Sequence, residues 1–373
     1  MVVGPPGKFA GIEKPGAAMT GLLILFAALL LWVPGMLHGS SADSAGGSLT
    51  VVATGDIMMG TVHPVNVLPP DDGEGIFKAV SGEFRDGDIV LGNLEGPLLD
   101  HGRAFKCKGA APGRCFEFMT PTRYSRHLKI AGFTAMNIAN NHALDFGWAG
   151  AESTIARLLD VGIDAVGGEM VAYTKRKGKG IALIGFSFKP SRYAYSIHNI
   201  PEAMEIVATL KEFNHFVIVS FHGGAEGKDA LHLQRGTERF LGENRGDLIG
   251  FAHSVIDAGA DLVIGHGPHV VRALEVYKGK LIAYSLGNFL TYGVFNLKGP
   301  NSVSVILRAK LDERTGDFVG GRLVPVRLTN RGIPEIDPSG EAVQLVKNLT
   351  KQDVEFPEIV VEENGLLRPA EGK

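Results

Sequence analysis

The sequence lacks a concentrated charge of either sign. Its 37 basic and 40 acidic residues give a formal net charge of −3, and no long run of one sign occurs. Nucleic-acid phosphates are bound by a concentrated basic face, so this balance argues against nucleic acid as the main partner. The 50 glycines do not recur with a period of three, which excludes a collagen-like chain. Internal repeats and low-complexity blocks are also missing.

Cysteine is scarce, with two residues in 373. Cys107 and Cys115 flank the segment KGAAPGR, and a disulfide could close this short loop in an oxidising compartment. Two free buried thiols explain the pair equally well, because sequence spacing does not show that the disulfide geometry is met. Neither cysteine belongs to the candidate metal ligands identified below, which argues against a structural zinc site.

An apolar run, GLLILFAALLLWVPGML, occupies residues 21–37, and no charged residue occurs between Lys14 and Asp43. It follows a weakly basic stretch and precedes a linker of small polar residues, as in a signal peptide or signal anchor. A buried core helix is the alternative. We predict that residues 1–48 hold a single anchor in the cell membrane, with the domain outside the cytoplasm because lysines precede the run. Signal cleavage, giving a secreted protein, is the other possibility.

Short apolar runs alternate with helical stretches in the rest of the chain, and hydrophobic residues make up 45% of the whole. Buried strands are predicted at 49–55, 88–93, 134–140, 181–188, 215–221, 261–265 and 281–288. Helices are predicted at 121–132, 148–162 and 246–259, and a hairpin at 302–328. This alternation predicts an α/β domain over residues 49–330, with mixed sheets flanked by helices. The 331–373 tail is expected to hold one short helix and a frayed end.

Polar side chains follow five of the predicted strands. They are Asp56, Asn93 with Glu95, Asn141 with His142, His222, and His266 with His269. Taken singly, each has an ordinary explanation as a turn former, helix cap or structural histidine. In open α/β folds, however, ligands bind outside the carboxyl ends of the strands. Carboxylate, amide and imidazole groups together suit Mn, Fe or Zn, so the set predicts a metal site.

The segments that carry these residues resemble a known superfamily. They are TGDIMMG (54–60), GNLEGPL (92–98), NIANNHALDFG (137–147), VSFHGGAE (219–226), DLVIGHGPHVV (261–271) and IAYSLGNF (282–289). In this order they resemble the calcineurin-like metallophosphoesterases, and more closely their capsule-synthesis CapA branch, which is linked to poly-γ-glutamate. The resemblance implies a four-layer α/β/β/α sandwich with the metal site at one edge.

The resemblance also assigns roles to individual residues. The metal ligands that it implies are Asp56, Asn93, Glu95, Asn141, His222, His266 and His269. His142 matches the catalytic histidine that follows the metal-binding asparagine. Asp145 lies three residues further on and either orients the His142 imidazole or caps the helix that begins near Phe146.

Several features depart from the superfamily pattern, and Glu95 stands where the superfamily usually has a bridging aspartate. Met58 stands where the superfamily usually has a histidine, and a thioether is a poor ligand for a hard divalent ion. His266 and His269 are spaced H-x-x-H rather than H-x-H, and Asn140 replaces a glycine. These changes fit the CapA branch. They leave one or two divalent ions, Mn, Fe or Zn, as the expected cofactor.

The resemblance implies a membrane-anchored, extracytoplasmic component of capsule or poly-γ-glutamate synthesis or export. Its expected partners are the membrane, through the N-terminal segment, an anionic capsule polymer, and other synthesis or export proteins. The alternatives are a metal-dependent phosphoester hydrolase acting outside the cytoplasm and a catalytically idle binding scaffold. The basic run KRKGKG at 175–180 could contact a polyanion, although a solvated hairpin between strands explains such a run better.

Overall fold

The computed structural model describes residues 47–104, 106–109 and 115–370. The predicted signal or anchor segment at 21–37 lies outside these residues. Within the described ranges, no helix combines the length and the apolar composition that crossing a membrane requires.

The strands of the described residues are β1 Ser48–Met58, β2 Ile89–Leu94, β3 Ala135–Asn137, β4 Asp164–Val166, β5 Ala172–Arg176, β6 Lys179–Ser187, β7 Tyr195–Ser196, β8 Phe216–His222, β9 Glu238–Phe240, β10 Glu243–Gly246, β11 Leu262–His266, β12 Leu274–Tyr277, β13 Lys280–Ala283, β14 Asn288–Thr291, β15 Val303–Asp312, β16 Phe318–Thr329, β17 Ile333–Ile336, β18 Ile359–Val361 and β19 Leu366–Pro369. The α-helices of the same residues are α1 Ser125–Ala131, α2 Gly147–Asp160, α3 Ile200–Phe213, α4 Leu248–Asp257 and α5 Glu341–Asp353.

The first sheet has the strand order β18-β19-β16-β15-β1-β2-β3-β4, with β14 beside β1 and β17 beside β16. Strands β1 to β4 pair in parallel, whereas the β1–β15 and β15–β16 pairs are antiparallel. The sheet is therefore mixed, as predicted.

The second sheet has the order β12-β13-β11-β8-β6-β5, with β7 beside β6. Its four inner strands pair in parallel, and the edge strands β5 and β12 run antiparallel to their neighbours. The parallel strands place their carboxyl ends on one edge, which is where ligands bind in α/β proteins.

Alternate residues of the central strands face different cores, because side chains along a strand point to opposite faces. Val51 of β1 packs between the two sheets in the same core as Ile264 of β11. Its neighbour Val52 packs in a second core with Leu128 of α1 and Leu158 of α2. A third core joins the outer face of the second sheet to α3 and α4, for example through Val255. The layers are therefore α/β/β/α, which confirms the predicted fold class.

One predicted strand is interrupted. The run 281–288 divides into β13 of the second sheet and β14 of the first. The chain crosses between the sheets at Gly287, whose φ of +75° favours glycine. Both halves are buried and apolar, so periodicity does not reveal the break. The crossing pairs Asn288 of β14 with Asp56 of β1.

The end of the chain differs from the sequence expectation. A frayed end was expected in the 331–373 tail, but β17 and β19 extend the first sheet along β16, and β18 pairs with β19. The predicted short helix is present as α5, which packs Val343 and Val346 into the core between the sheets. The apolar stripe of α5 is narrow within a polar sequence, so composition alone does not reveal this packing.

Candidate metal centre

The two sheets bring the sequence-predicted site residues together. Asp56 and Asn93 are paired across β1 and β2, and His222 and His266 are paired at the carboxyl ends of β8 and β11. Glu95 directly follows β2, where its backbone N–H donates to the carbonyl of Ile57. Backbone hydrogen bonds thus fix the segment that carries each side chain. A site on such segments is more precisely positioned than a site on a loop.

Acidic and imidazole groups meet at this edge. One oxygen of Asp56, one of Glu95 and one ring nitrogen of His222 all lie within 4.8 Å of one another. Nδ1 of His269 lies 2.9 Å from Oδ2 of Asp56 and 4.0 Å from Oε2 of Glu95. Nδ1 of His266 lies 3.5 Å from Oδ1 of Asp56. Two carboxylates and three imidazoles therefore converge on one buried volume.

Several of these buried atoms have no hydrogen-bond partner among the described residues. They are both carboxylate oxygens of Glu95, Nε2 of His222, both ring nitrogens of His266, and Oδ1 of Asn141. A buried polar group without a partner costs about 1–3 kcal/mol, and such groups are rare in folded proteins. Coordination of a divalent ion would satisfy the oxygens, Nε2 of His222 and one ring nitrogen of His266, and oxygen and imidazole donors suit Mn, Fe or Zn. The donor set therefore fits a metal ion.

The charges of the cluster are strongly coupled. Burial and the charge of Asp56 raise the pKa of Glu95 well above its usual range. Burial also raises the pKa of Asp56, but His266 and His269 outweigh it and hold that pKa below its usual range. Burial opposes the charged form of His269, yet Glu95 and Asp56 raise its pKa to about 10. Since metal ligands must be deprotonated, a cation would displace the proton that these groups share.

Asn93 forms hydrogen bonds with the side chains around it. Its Nδ2 donates to Oδ1 of Asp56 at 2.8 Å, and its Oδ1 accepts from the amides of Asn137 and Asn140 at 2.8 and 3.1 Å. Its amide oxygen is thus already engaged, which fits a supporting role. Its direct coordination of a metal stays a prediction. Met58 is buried, and its sulfur accepts the N–H of Gly60, so this side chain is turned to its own backbone.

His142 and Asp145 form a hydrogen-bonded pair. Nδ1 of His142 lies 2.8 Å from Oδ2 of Asp145, a fully buried carboxylate that also accepts the N–H of Phe118 at 2.8 Å. Helix α2 begins at Gly147 without a side-chain cap, so Asp145 does not cap it. Of the two alternatives, the structure therefore shows Asp145 orienting the imidazole. Burial opposes the charge of Asp145, but His142 and then Lys106 outweigh it and lower its pKa.

Two further groups at the site were missed by the sequence reasoning. Lys106 donates to Oδ1 of Asp145 at 2.6 Å and lies 3.2 Å from Nδ1 of His142. Phe118 stacks on the His142 ring, with centroids 4.6 Å apart. Both residues lie between β2 and α1, outside every motif that carried the resemblance. Cys107 and Cys115 of the same segment form a disulfide with a Cα–Cα distance of 5.5 Å, which decides the alternative left open by their spacing.

The sequence was compared with known families and proteins. Residues 50–292 match the sequence model of the family described as "Bacterial capsule synthesis protein PGA_cap". The "PGA biosynthesis protein CapA" of Bacillus subtilis (strain 168) is 30% identical over 259 residues, which is 65% of this chain and 63% of that protein. The "Capsule biosynthesis protein CapA" of Bacillus anthracis is 28% identical over 261 residues, 65% of this chain and 59% of that protein. The chain thus spans less than two thirds of the length of these relatives.

Solved structures were compared as well. A phosphatase structure from Mycoplasma pneumoniae gives a TM-score of 0.48 at 13% identity and covers 79% of this chain and 96% of its own. The calcineurin-like phosphoesterase YfkN from Bacillus subtilis gives a TM-score of 0.42 at 14% identity and covers 82% of this chain and 96% of its own.

The family match covers more than half of the chain and includes every candidate ligand. The chain therefore belongs to the bacterial capsule synthesis protein family, the CapA family.

Proposed function

We propose that this protein takes part in the synthesis or export of an anionic capsule polymer such as poly-γ-glutamate, and that its domain carries a metal centre of the hydrolase type. The observation that carries the proposal is the convergence of Asp56, Glu95 and His222, whose ligand atoms lie within 4.8 Å of one another. Both oxygens of Glu95 and Nε2 of His222 are buried and lack hydrogen-bond partners among the described residues. The similar proteins from Bacillus are described as capsule and PGA biosynthesis proteins, which supports a capsule polymer as the partner.

Asp56, Glu95 and His222 would hold a divalent ion, with Asn141, His266 and His269 around it. An ion of the Mn, Fe or Zn type supplies Lewis acidity for hydrolysis at such a ligand set. The chain's own contribution is orientation and proton transfer. Asp145 fixes the Nδ1 edge of His142, which leaves Nε2 as the ring atom that can hold a proton for a leaving oxygen.

We further propose that the domain works outside the cytoplasm and is attached to the cell membrane by its N-terminal segment. The apolar run at 21–37, with lysines before it, supports this placement. The disulfide between Cys107 and Cys115 supports it independently, because disulfides persist in oxidising compartments.

The first test of the proposal is metal analysis of the full-length protein by mass spectrometry, together with hydrolysis of an aryl phosphate diester. We expect one or two equivalents of Mn, Fe or Zn and measurable turnover. A cell that lacks the gene should lose surface polymer, and the wild-type gene but not Asp56→Ala should restore it. Protein without bound metal, or full restoration by Asp56→Ala, would contradict the metal-centre part of the proposal.

A phosphoester hydrolase with no part in capsule formation is the second candidate. The His142–Asp145 pair favours it, since such a pair suits protonation of a leaving oxygen. Under this alternative, the purified protein turns over the aryl ester while deletion of the gene leaves the surface polymer unchanged. The cell-surface measurement therefore separates the two candidates.

A further inference from the structure

A cleft opens beside the His142–Asp145 pair. It has a volume of about 640 Å³ and is lined by His63, Arg103, Ala104, Cys107, Lys108 and Glu117, and we call it the basic cleft. Two residues that adjoin lining residues in the sequence contact the His142–Asp145 pair. Lys106, next to Cys107, donates to Asp145, and Phe118, next to Glu117, stacks on His142. The cleft is therefore lined by residues next in the chain to groups that contact the His142–Asp145 pair.

The lining of the basic cleft has two cations, Arg103 and Lys108, against one acid, Glu117. Glu117 is the acid in its lining. Its Oε1 accepts the N–H of Cys107 at 3.0 Å, and its Oε2 lies 3.7 Å from Nε2 of His63. Arg103 and Lys108 are exposed, and neither forms an ion pair within the part of the chain that the structure describes. Two cations thus remain to bind an anion from solution.

Two contacts hold residues 106–108 in place. Cys107 lies between Lys106 and Lys108 and is bonded to Cys115. The side chain of Lys106 is 28% exposed and is held by its ion pair with Asp145. A loop that is ordered before a ligand arrives loses less conformational entropy on binding than a free loop does. Residues 106 and 107, beside Lys108 of the cleft, are therefore held before a ligand arrives.

We propose that the basic cleft is a subsite for an extended polycarboxylate chain, in which Arg103 and Lys108 bind carboxylates that neighbour the group held at the metal centre. This assignment rests on the proposed function, because the capsule polymer supplies the chemistry of the chain. A guanidinium and an ammonium bind carboxylates by charge-assisted hydrogen bonds. Exposed pairs are individually weak, so the subsite gains affinity by binding several carboxylates of one polymer.

The densest basic run of the sequence lies elsewhere. Residues 175–180 include the last residues of β5, the turn and the first residues of β6, so they lie at the amino end of β6. His222 ends β8, which runs parallel to β6, and therefore lies at the opposite edge of this sheet. Part of the charge of the run is also neutralised, since Nζ of Lys177 lies 2.9 Å from Asp88. This hairpin is consequently a matched control for the basic cleft.

The test is the binding of fluorescent poly-γ-glutamate to the full-length protein, measured by anisotropy in the presence of a chelator. Three proteins are compared: the wild type, Arg103→Glu/Lys108→Glu, and the hairpin control Lys175→Glu/Lys179→Glu. The two variants carry the same change in net charge. We expect the cleft variant to bind on the order of tenfold more weakly and the control to change less than about twofold. Added salt should weaken binding by the wild type and reduce the difference.

Equal loss of affinity in both variants would show attraction by net charge alone and would overturn the assignment, as would a wild type that does not bind the polymer. Circular dichroism checks that both variants fold. Because the chelator removes metal, the result does not depend on the metal centre. A wild type that binds the polymer through the basic cleft but holds no metal would contradict the proposed metal centre and leave the subsite standing.

Discussion

Oε1 of Glu95 lies 3.6 Å from Nε2 of His222, and neither atom has a hydrogen-bond partner among the described residues. Both side chains are fully buried. Burial raises the pKa of Glu95 and lowers that of His222, so both groups are driven toward their neutral forms. Such a pair weakens the fold when no cation is bound, and coordination of a cation would satisfy both groups.

Substitution of either residue should therefore separate stability from metal binding. We expect Glu95→Gln and His222→Ala to lower metal affinity by more than about 100-fold, because loss of a supporting residue alone costs about 10- to 100-fold. In chelator at neutral pH, Glu95→Gln should unfold at a higher temperature than the wild type, since glutamine removes the cost of keeping Glu95 protonated beside Asp56. Thermal unfolding and metal analysis measure the two effects.

His253→Ala is the control for these variants, because His253 bonds to Glu275 away from the cluster. It should keep the metal content of the wild type. If Glu95→Gln and His222→Ala kept it as well, the ligand assignment would be wrong.

Asp145 should affect catalysis without affecting metal content. We expect Asp145→Asn to lower kcat for the aryl phosphate diester by about 10- to 100-fold, because the amide no longer holds the charge and orientation of His142. Asp160→Asn is the control, since Asp160 is exposed and pairs with Arg157 on the surface. Loss of metal in Asp145→Asn would show that the residue supports the metal ligands instead of the imidazole.

The lowered pKa of Glu275 predicts that the stability of the fold depends on pH. Burial raises the pKa of Glu275, but hydrogen bonds from His253 and Tyr284 outweigh it and hold the pKa below its usual value of 4.5. The folded state thus binds the proton more weakly than the unfolded state does. The ionised carboxylate stabilises the fold above pH 4.5, and this contribution is lost as the pH falls through the folded pKa.

We therefore expect Glu275→Gln to be less stable than the wild type at pH 7, with a difference in unfolding free energy that shrinks below about pH 4.5. Urea unfolding at a series of pH values measures it. A difference that is constant from pH 7 to pH 3 would show that the carboxylate charge plays no part.

The ligand cluster could be anticipated because its members end apolar runs. Asp56, His222 and His266 each lie at the carboxyl end of a parallel strand, and parallel strands bring such ends to one edge. Lys106 and Phe118 could not be found in this way. Their segment has no periodic pattern, and its path is set by hydrogen bonds to Asp145 and by the disulfide. Contacts between residues distant in sequence decide such loops, and local sequence does not encode them.

The crossing of the chain between the sheets at Gly287 could not be predicted from the sequence either. This crossing positions Asp56. The N–H of Asp56 donates to the carbonyl of Gly287 at 2.9 Å, and a Cβ on Gly55 would lie 1.9 Å from the same oxygen. Such close approach of two backbones requires glycine at position 55. The position of the Asp56 carboxylate thus depends on glycine, which has no side chain, at position 55.

Gly55→Ala should consequently move Asp56. We expect the variant to lose about 1–3 kcal/mol of unfolding free energy, as in other overpacked cores, and to bind metal more weakly because β1 and Gly287 are forced apart. Gly82→Ala is the matched control, since a Cβ there meets nothing within 4 Å, and its stability should change by less than about 0.5 kcal/mol. Urea unfolding and metal analysis of both variants decide the matter. If the two alanine variants proved equal in both measurements, the contact between Gly55 and Gly287 would not be what positions Asp56.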